Sequence, residues 1–112
     1  MNNLGQLGNN SSIAQYNYPV RVTQTGVLAN RQVTGICAGA FHSLAVCADG
    51  GVVAWGDNVS GELGDGGTET KSTVPVNVYP AGVLQTKTVT AVSAGAYHSV
   101  ALCSDGSVAR CV

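Results

Sequence analysis

A chain of 112 residues with five Lys or Arg against six Asp or Glu, a net charge of −1 and only 10% charged residues carries no electrostatic footprint for nucleic acid. Its apolar runs fall far short of the roughly 20 residues that span a bilayer, so no membrane insertion is expected. Gly, Ser, Thr, Asn and Val are abundant while Met, Phe and Trp are scarce, a balance that favours short strands and turns over helices.

Met1 is followed by NNLGQLGNN, without the charged start or apolar stretch of a secretory signal. These residues already belong to a repeat, so the chain reads as a section of a longer array, with room for a signal upstream. AGAFHSLAVCADGG at 38 to 51 returns as AGAYHSVALCSDGS at 94 to 107, displaced by 56 positions without a gap. The same offset carries Gly5, Leu7 and Gly8 onto Gly61, Leu63 and Gly64, and Pro19 and Val20 onto Pro75 and Val76. Such a period marks solenoids, propellers and arrays, whose units bury their apolar faces only against neighbours. The units are residues 1–56 and 57–112, each too small to bury a large core unaided.

Within each unit the first strand content is Pro19 to Val22 or Pro75 to Val78, read as an edge strand because an initial Pro donates no ladder bond. VTGICAG (33 to 39) and VTAVSAG (89 to 95) follow, β-branched and ending in a Gly suited to reversal. The strands HSLAVC (42 to 47) and HSVALC (98 to 103) come next. Asp49-Gly50 and Asp105-Gly106 then predict two-residue type I′ hairpins. Counting outward from that turn sets Cys47 opposite Val52, Val46 opposite Val53, Ala45 opposite Ala54 and Leu44 opposite Trp55. Both faces of the sheet come out apolar, so water wets neither. Two four-stranded antiparallel blades of a β-propeller, part of a larger all-β array, are therefore expected. The second unit departs from the pattern at its end, where Arg110, Cys111 and Val112 stand in place of Ala, Trp and Gly. The break suggests a truncated or shifted reading frame, and poor packing is expected there.

No catalytic, cofactor or metal site is predicted. His42 with Ser43, and His98 with Ser99, offer the residue types of a Ser-His-Asp site near Asp49 and Asp105. Adjacent strand residues point to opposite faces, however, so His42 cannot activate Ser43, and a structural role between strands is expected. Cys37, His42 and Cys47 form C-x4-H-x4-C, which lacks standard zinc spacing and a fourth ligand. Register leaves Cys47 with Cys103 as the one pairing for an interblade disulfide. Asp57, Glu62 and Asp65 lack the alternating ligands of a calcium loop, and DNVSGELGDGG is read as a solvated loop. The glycines precede no helix and form no phosphate cradle.

The order G-x-L-G, P-V, AG-x-x-HS-x-A and DG-x-V-x-A-WG resembles the regulator of chromosome condensation repeat, over nearly the whole chain. The resemblance implies a propeller of typically seven blades doing interaction work, and low charge with Thr/Asn/Gly-rich loops is most similar to bacterial, often exported or surface-displayed arrays. A non-catalytic module binding a protein or glycan is the leading expectation. The alternatives are an intracellular regulator, through guanine-nucleotide exchange or chromatin binding, and a fragment of a propeller-bearing enzyme. Recognition is expected in the segments that vary between units, 9 to 18 against 65 to 74 and 29 to 32 against 85 to 88. Tyr16, Tyr18, Arg31 and Tyr79 are the expected anchors, with the repeated core silent. Outer apolar faces should lack a partner until further repeats, or head-to-tail copies of the chain, complete the propeller.

Overall fold

The computed structural model describes residues 2–11, 13–14, 18–78 and 88–111. Strands β1 (Val33–Ala38), β2 (His42–Cys47), β3 (Val52–Asp57) and β4 (Lys71–Asn77) form one antiparallel sheet in that order. Strands β5 (Val89–Ala94), β6 (Ser99–Cys103) and β7 (Val108–Cys111) form a second. Two blades were expected with four strands each; among the described residues the second sheet has three. The reason lies in β4. It belongs by sequence to the second unit, yet it pairs with β3 and closes the sheet of the first. The first blade thus takes its outer strand from the unit that follows, and Pro19–Val22 carries no strand ladder among the described residues. Pro75 lies on the expected edge strand, but that strand begins at Lys71. Ala54 pairs with Val76 and Gly56 with Ser72, so Pro75 sits where the ladder is interrupted and its missing N–H does no harm.

The hairpin register differs from the expected one by a residue. Cys47 N–H donates to the Gly51 carbonyl at 2.9 Å, and Gly50 N–H donates to the Cys47 carbonyl at 2.9 Å. The loop therefore has three residues, Ala48 to Gly50, and only its Gly takes a positive φ, 82° at Gly50 and 87° at Gly106. This is the type I turn closed by a left-handed Gly bulge, the next commonest hairpin after the two-residue forms. Asp49 avoids a positive φ because its Oδ1 accepts from Gly51 N–H at 2.9 Å, and Asp105 does the same for Ser107 at 2.9 Å. As a result Val46 pairs with Val52, Leu44 with Ala54 and Ser43 with Trp55. In the second sheet Leu102 pairs with Val108 and Ser99 with Cys111. At 110–112 the ladder runs through Cys111, and the expected poor packing concerns side chains outside the described residues.

The slip reassigns the faces but leaves both apolar. Leu44, Val46, Val52 and Ala54 pack against Val89 and Cys103 of the second sheet, with Leu63 between them. Ala45, Cys47, Val53 and Trp55 form the opposite cluster, covered by Leu28, Val22 and Val27 from the segment before β1. Cys37 packs with the first cluster and Cys47 with the second, so C-x4-H-x4-C cannot converge on a metal. Cys47 and Cys103 likewise lie in different clusters, and Cys37, Cys47 and Cys103 are free thiols. Burial raises the pKa of Cys37 and of Cys47, which disfavours their thiolates.

Candidate functional site

The segment 57–64, expected to be solvated, is instead a wedge at the junction of the two sheets. Leu63 is fully buried, Glu62 is 1% exposed, and Asp57 and Asn58 are buried with them. Asn58 rivets the wedge: its Oδ1 accepts from Leu63 N–H at 3.0 Å and its Nδ2 donates to the Glu69 carbonyl at 2.8 Å. Asn2, one period earlier, repeats this with Leu7 N–H at 2.9 Å and the Ser11 carbonyl at 2.9 Å. The acidic side chains do not gather as calcium ligands. Glu62 Oε2 accepts from Ser60 N–H at 2.8 Å and Asp65 Oδ1 from Gly67 N–H at 3.0 Å. No group of three or more metal-ligating side chains occurs among the described residues.

The wedge presents its backbone to a clasp between the sheets. Ser99 Oγ donates to the Glu62 carbonyl at 2.9 Å, and His42 Nε2 lies 2.9 Å from the same Ser99 Oγ. A hydroxyl has one proton, already given to the carbonyl, so His42 Nε2–H is the donor to Ser99 and Nδ1 carries the lone pair. Nδ1 is buried with no hydrogen-bond partner. A His beside a Ser here does not make a general base beside a nucleophile, because Ser99 has no proton to give His42 and no carboxylate orients the ring. Both side chains are buried, at 1% and 5% exposure, out of reach of a substrate. The partner of His42 is the Ser of the next unit, so the bond runs between sheets and not, as expected, between strands, while His98 is exposed. Ser43 repeats the theme, its Oγ donating to the Gln6 carbonyl at 3.4 Å.

Burial lowers the pKa of His42, and the negative charges of Glu62 and Asp57 offset part of that effect. A His whose folded pKa lies below its unfolded value of about 6.5 stabilises the fold fully above that value. The contribution is lost as pH falls through the folded pKa. The urea midpoint should therefore fall on acidification from pH 7 to 5, and His42→Gln should flatten that slope.

The model of the regulator of chromosome condensation (RCC1) repeat matches residues 1–46 and 49–102, and a second model of the same description matches 33–62. The chain belongs to the regulator of chromosome condensation repeat family. The human probable E3 ubiquitin-protein ligase HERC6 is 34% identical over 108 residues, 96% of this chain and 10% of that protein. Human WBSCR16 superposes with a TM-score of 0.73 at 27% identity, over 96% of this chain and 25% of that one. Yeast RCC1 (Prp20), solved with Kap60 bound, superposes with a TM-score of 0.77 at 22% identity, over 98% of this chain and 26% of that one. The sheets are thus adjacent blades of a β-propeller, and the chain spans about a tenth to a quarter of these proteins.

Of the four expected recognition residues, Tyr16 and Tyr79 lie outside the described residues. Tyr18 is 66% exposed in its loop. Arg31 is engaged within the repeat: its guanidinium forms two bonds to the Asp49 carboxylate, at 3.1 and 3.0 Å, and reaches Asn77 Oδ1 at 3.0 Å. The fork holds the Asp49 carboxyl below its usual pKa. It joins the approach to β1, the β2–β3 turn and the end of β4. The aromatic pair that sequence reasoning passed over is Phe41 and Tyr97, one period apart at the β1–β2 and β5–β6 tips. Their ring centroids are 6.4 Å apart and tilted by 36°.

Proposed function

We propose that the chain is a non-catalytic segment of a propeller that recognises a protein through the tips of its blades. The observation that carries this reading is the neighbouring, tilted Phe41–Tyr97 pair, with Tyr97 56% exposed. Asp57 N–H donates to the Phe41 carbonyl at 2.9 Å, which brings the wedge turn to the same end, and there Val59 is 72% exposed. Exposed aromatic side chains on a rigid scaffold are the usual centres of binding energy. Repetition at the period of the array would turn such pairs into a stripe around one end of the propeller. Yeast RCC1 with Kap60 bound shows this fold in a protein complex. HERC6, a probable E3 ubiquitin-protein ligase, matches this chain over a tenth of its own length, which is compatible with a recognition role for the matching repeats. Low charge in the loops suits a surface-displayed bacterial array, and a signal segment upstream in the coding sequence would establish that setting.

The test compares two variants of the parent protein. Phe41→Ser with Tyr97→Ser should abolish retention of its binding protein while shifting Tm by no more than a few degrees. Exchanging residues 9 to 18 for 65 to 74 probes the variable loops with Tyr16 and Tyr18. Loss of binding only in the loop exchange would move the site from the tips to those loops, and retention of an oligosaccharide instead of a protein would replace the partner class.

A further inference from the structure

We infer that the His42–Ser99 clasp is a proton-operated joint, which holds the Phe41–Tyr97 pair together while His42 is neutral and parts it when His42 takes a proton. The joint thereby regulates recognition, a role that rests on the aromatic tips being the recognition surface. It lies between the two sheets, in the interior of the chain. In the neutral ring Nε2–H donates to Ser99 Oγ, and Ser99 gives its own proton to the Glu62 carbonyl. A further proton then enters only at Nδ1, which is buried without a hydrogen-bond partner. The ring edge that carries Nδ1 faces backbone, since a Cβ on Gly39 would stand 2.8 Å from that nitrogen. Two more buried atoms without a partner, Asp57 Oδ1 and Glu62 Oε1, belong to carboxylates whose charge acts on this ring. Both are acceptors. The clasp therefore has a second arrangement supplied with acceptors in advance: the charged ring turns its new N–H to a carboxylate oxygen and gives up its bond to Ser99.

The charged groups that face His42 come from different elements and pull in different directions. Burial opposes protonation most strongly; Glu62 of the wedge, Asp57 at the end of β3 and the backbone of His98 favour it, while charge on the His98 ring, in the β5–β6 connection, opposes it. Lys71, across from Asp57 on β4, gives its ammonium to the Asn3 carbonyl at 3.2 Å. Burial prevails, so the folded pKa of His42 lies below the unfolded value of about 6.5. The neutral clasp is thus intact at pH 7, and the charged arrangement gains population as pH falls toward 5. The movement reaches the tips through the backbone. Phe41 precedes His42, and its carbonyl accepts from Asp57 N–H at 2.9 Å. A Cβ on Gly56 would stand 2.7 Å from His42 Cα, so β3 lies directly against the peptide that carries Phe41. On the other sheet, Tyr97 stands two residues before Ser99. A ring that turns toward Asp57 pulls on the first of these segments and releases the second.

The test is NMR of the full chain between pH 7 and pH 5, reading the ring-to-ring NOE between Phe41 and Tyr97 and the nitrogen shifts of the His42 imidazole. Emission of Trp55, which lies in the opposite cluster, reports whether the fold is kept. The NOE should be present at pH 7 with His42 in its Nε2–H form, and should weaken in proportion to the imidazolium as pH falls, with Trp55 emission unchanged. His42→Gln keeps an N–H for Ser99 and takes no proton, so its NOE should persist at pH 5. Asp57→Asn removes one carboxylate and should move the loss to lower pH, and it supplies the comparison if His42→Gln does not fold. An NOE undiminished at pH 5, an equal loss in His42→Gln, or a change in Trp55 emission in parallel with the loss would overturn the joint. Retention of the binding protein by the parent should follow the same pH profile and become independent of pH in His42→Gln. Retention indifferent to pH beside a pH-dependent NOE would remove the tips as the recognition surface while supporting the joint.

Discussion

Trp55→Ala should destabilise the folded array by about 3 to 5 kcal/mol, the range for removing a large aromatic from a packed site. Trp55 is 7% exposed and packs with Leu28, Ala45, Cys47 and Val53. Its cover is the turn at residues 5 to 8. The indole Nε1–H donates to the Gln6 carbonyl at 2.8 Å, and a Cβ on Gly8 would stand 2.8 Å from that nitrogen. Gly8 also has a φ of 63°, so both the space and the backbone conformation require glycine. Truncation would open a cavity and leave the Gln6 carbonyl with only the long bond from Ser43 Oγ, at 3.4 Å. Trp55→Phe keeps most of the apolar area and should lose only on the order of 1 to 2 kcal/mol. Urea denaturation followed by circular dichroism measures both, and a loss below about 1 kcal/mol for Trp55→Ala would show that the turn closes over the gap. The repeated unit has Cys111 at this position, so the equivalent contact with the wedge at 61 to 64 cannot be made by an indole there.

The period of 56 made the architecture legible: strands, turns and two apolar faces all recur at that spacing. The turn type was not legible, because an Asp-Gly pair serves a two-residue loop with two positive φ values and a three-residue loop with one. The Asp49 carboxylate, accepting from Gly51 N–H, supports the second, and one residue of slip then moved Trp55 from Leu44 to Ser43. The wedge was misread for a related reason. The group that matters at Gln6 and Glu62 is the backbone carbonyl, which the side-chain pattern does not display. The clasp joins His42 to a Ser 57 residues away, so no local motif displays it. Phe41 and Tyr97 lie inside the repeated core, where both units carry an aromatic and no marked variation sets them apart.

The clasp also explains the glycine in AG-x-x-HS, and here the second large effect is expected. A Cβ on Gly39 would stand 2.5 Å from Cε1 of the buried His42 ring and in clash with the carbonyl oxygen of Gly95 on the other sheet. One obstacle is backbone and the other is a ring held by Ser99, so neither can yield without parting the sheets. Gly39→Ala should therefore lose about 3 kcal/mol, the upper part of the range for overpacking. Gly106→Ala is the control, since its φ is 87° with open space around the Cβ, and only backbone strain of about 1 to 2 kcal/mol is expected. In a His42→Ala background the penalty at Gly39 should shrink but not vanish, because the Gly95 carbonyl still stands in the way. A Gly39→Ala variant no less stable than Gly106→Ala would mean that the sheets can move apart at no cost and that the clasp does not set their spacing.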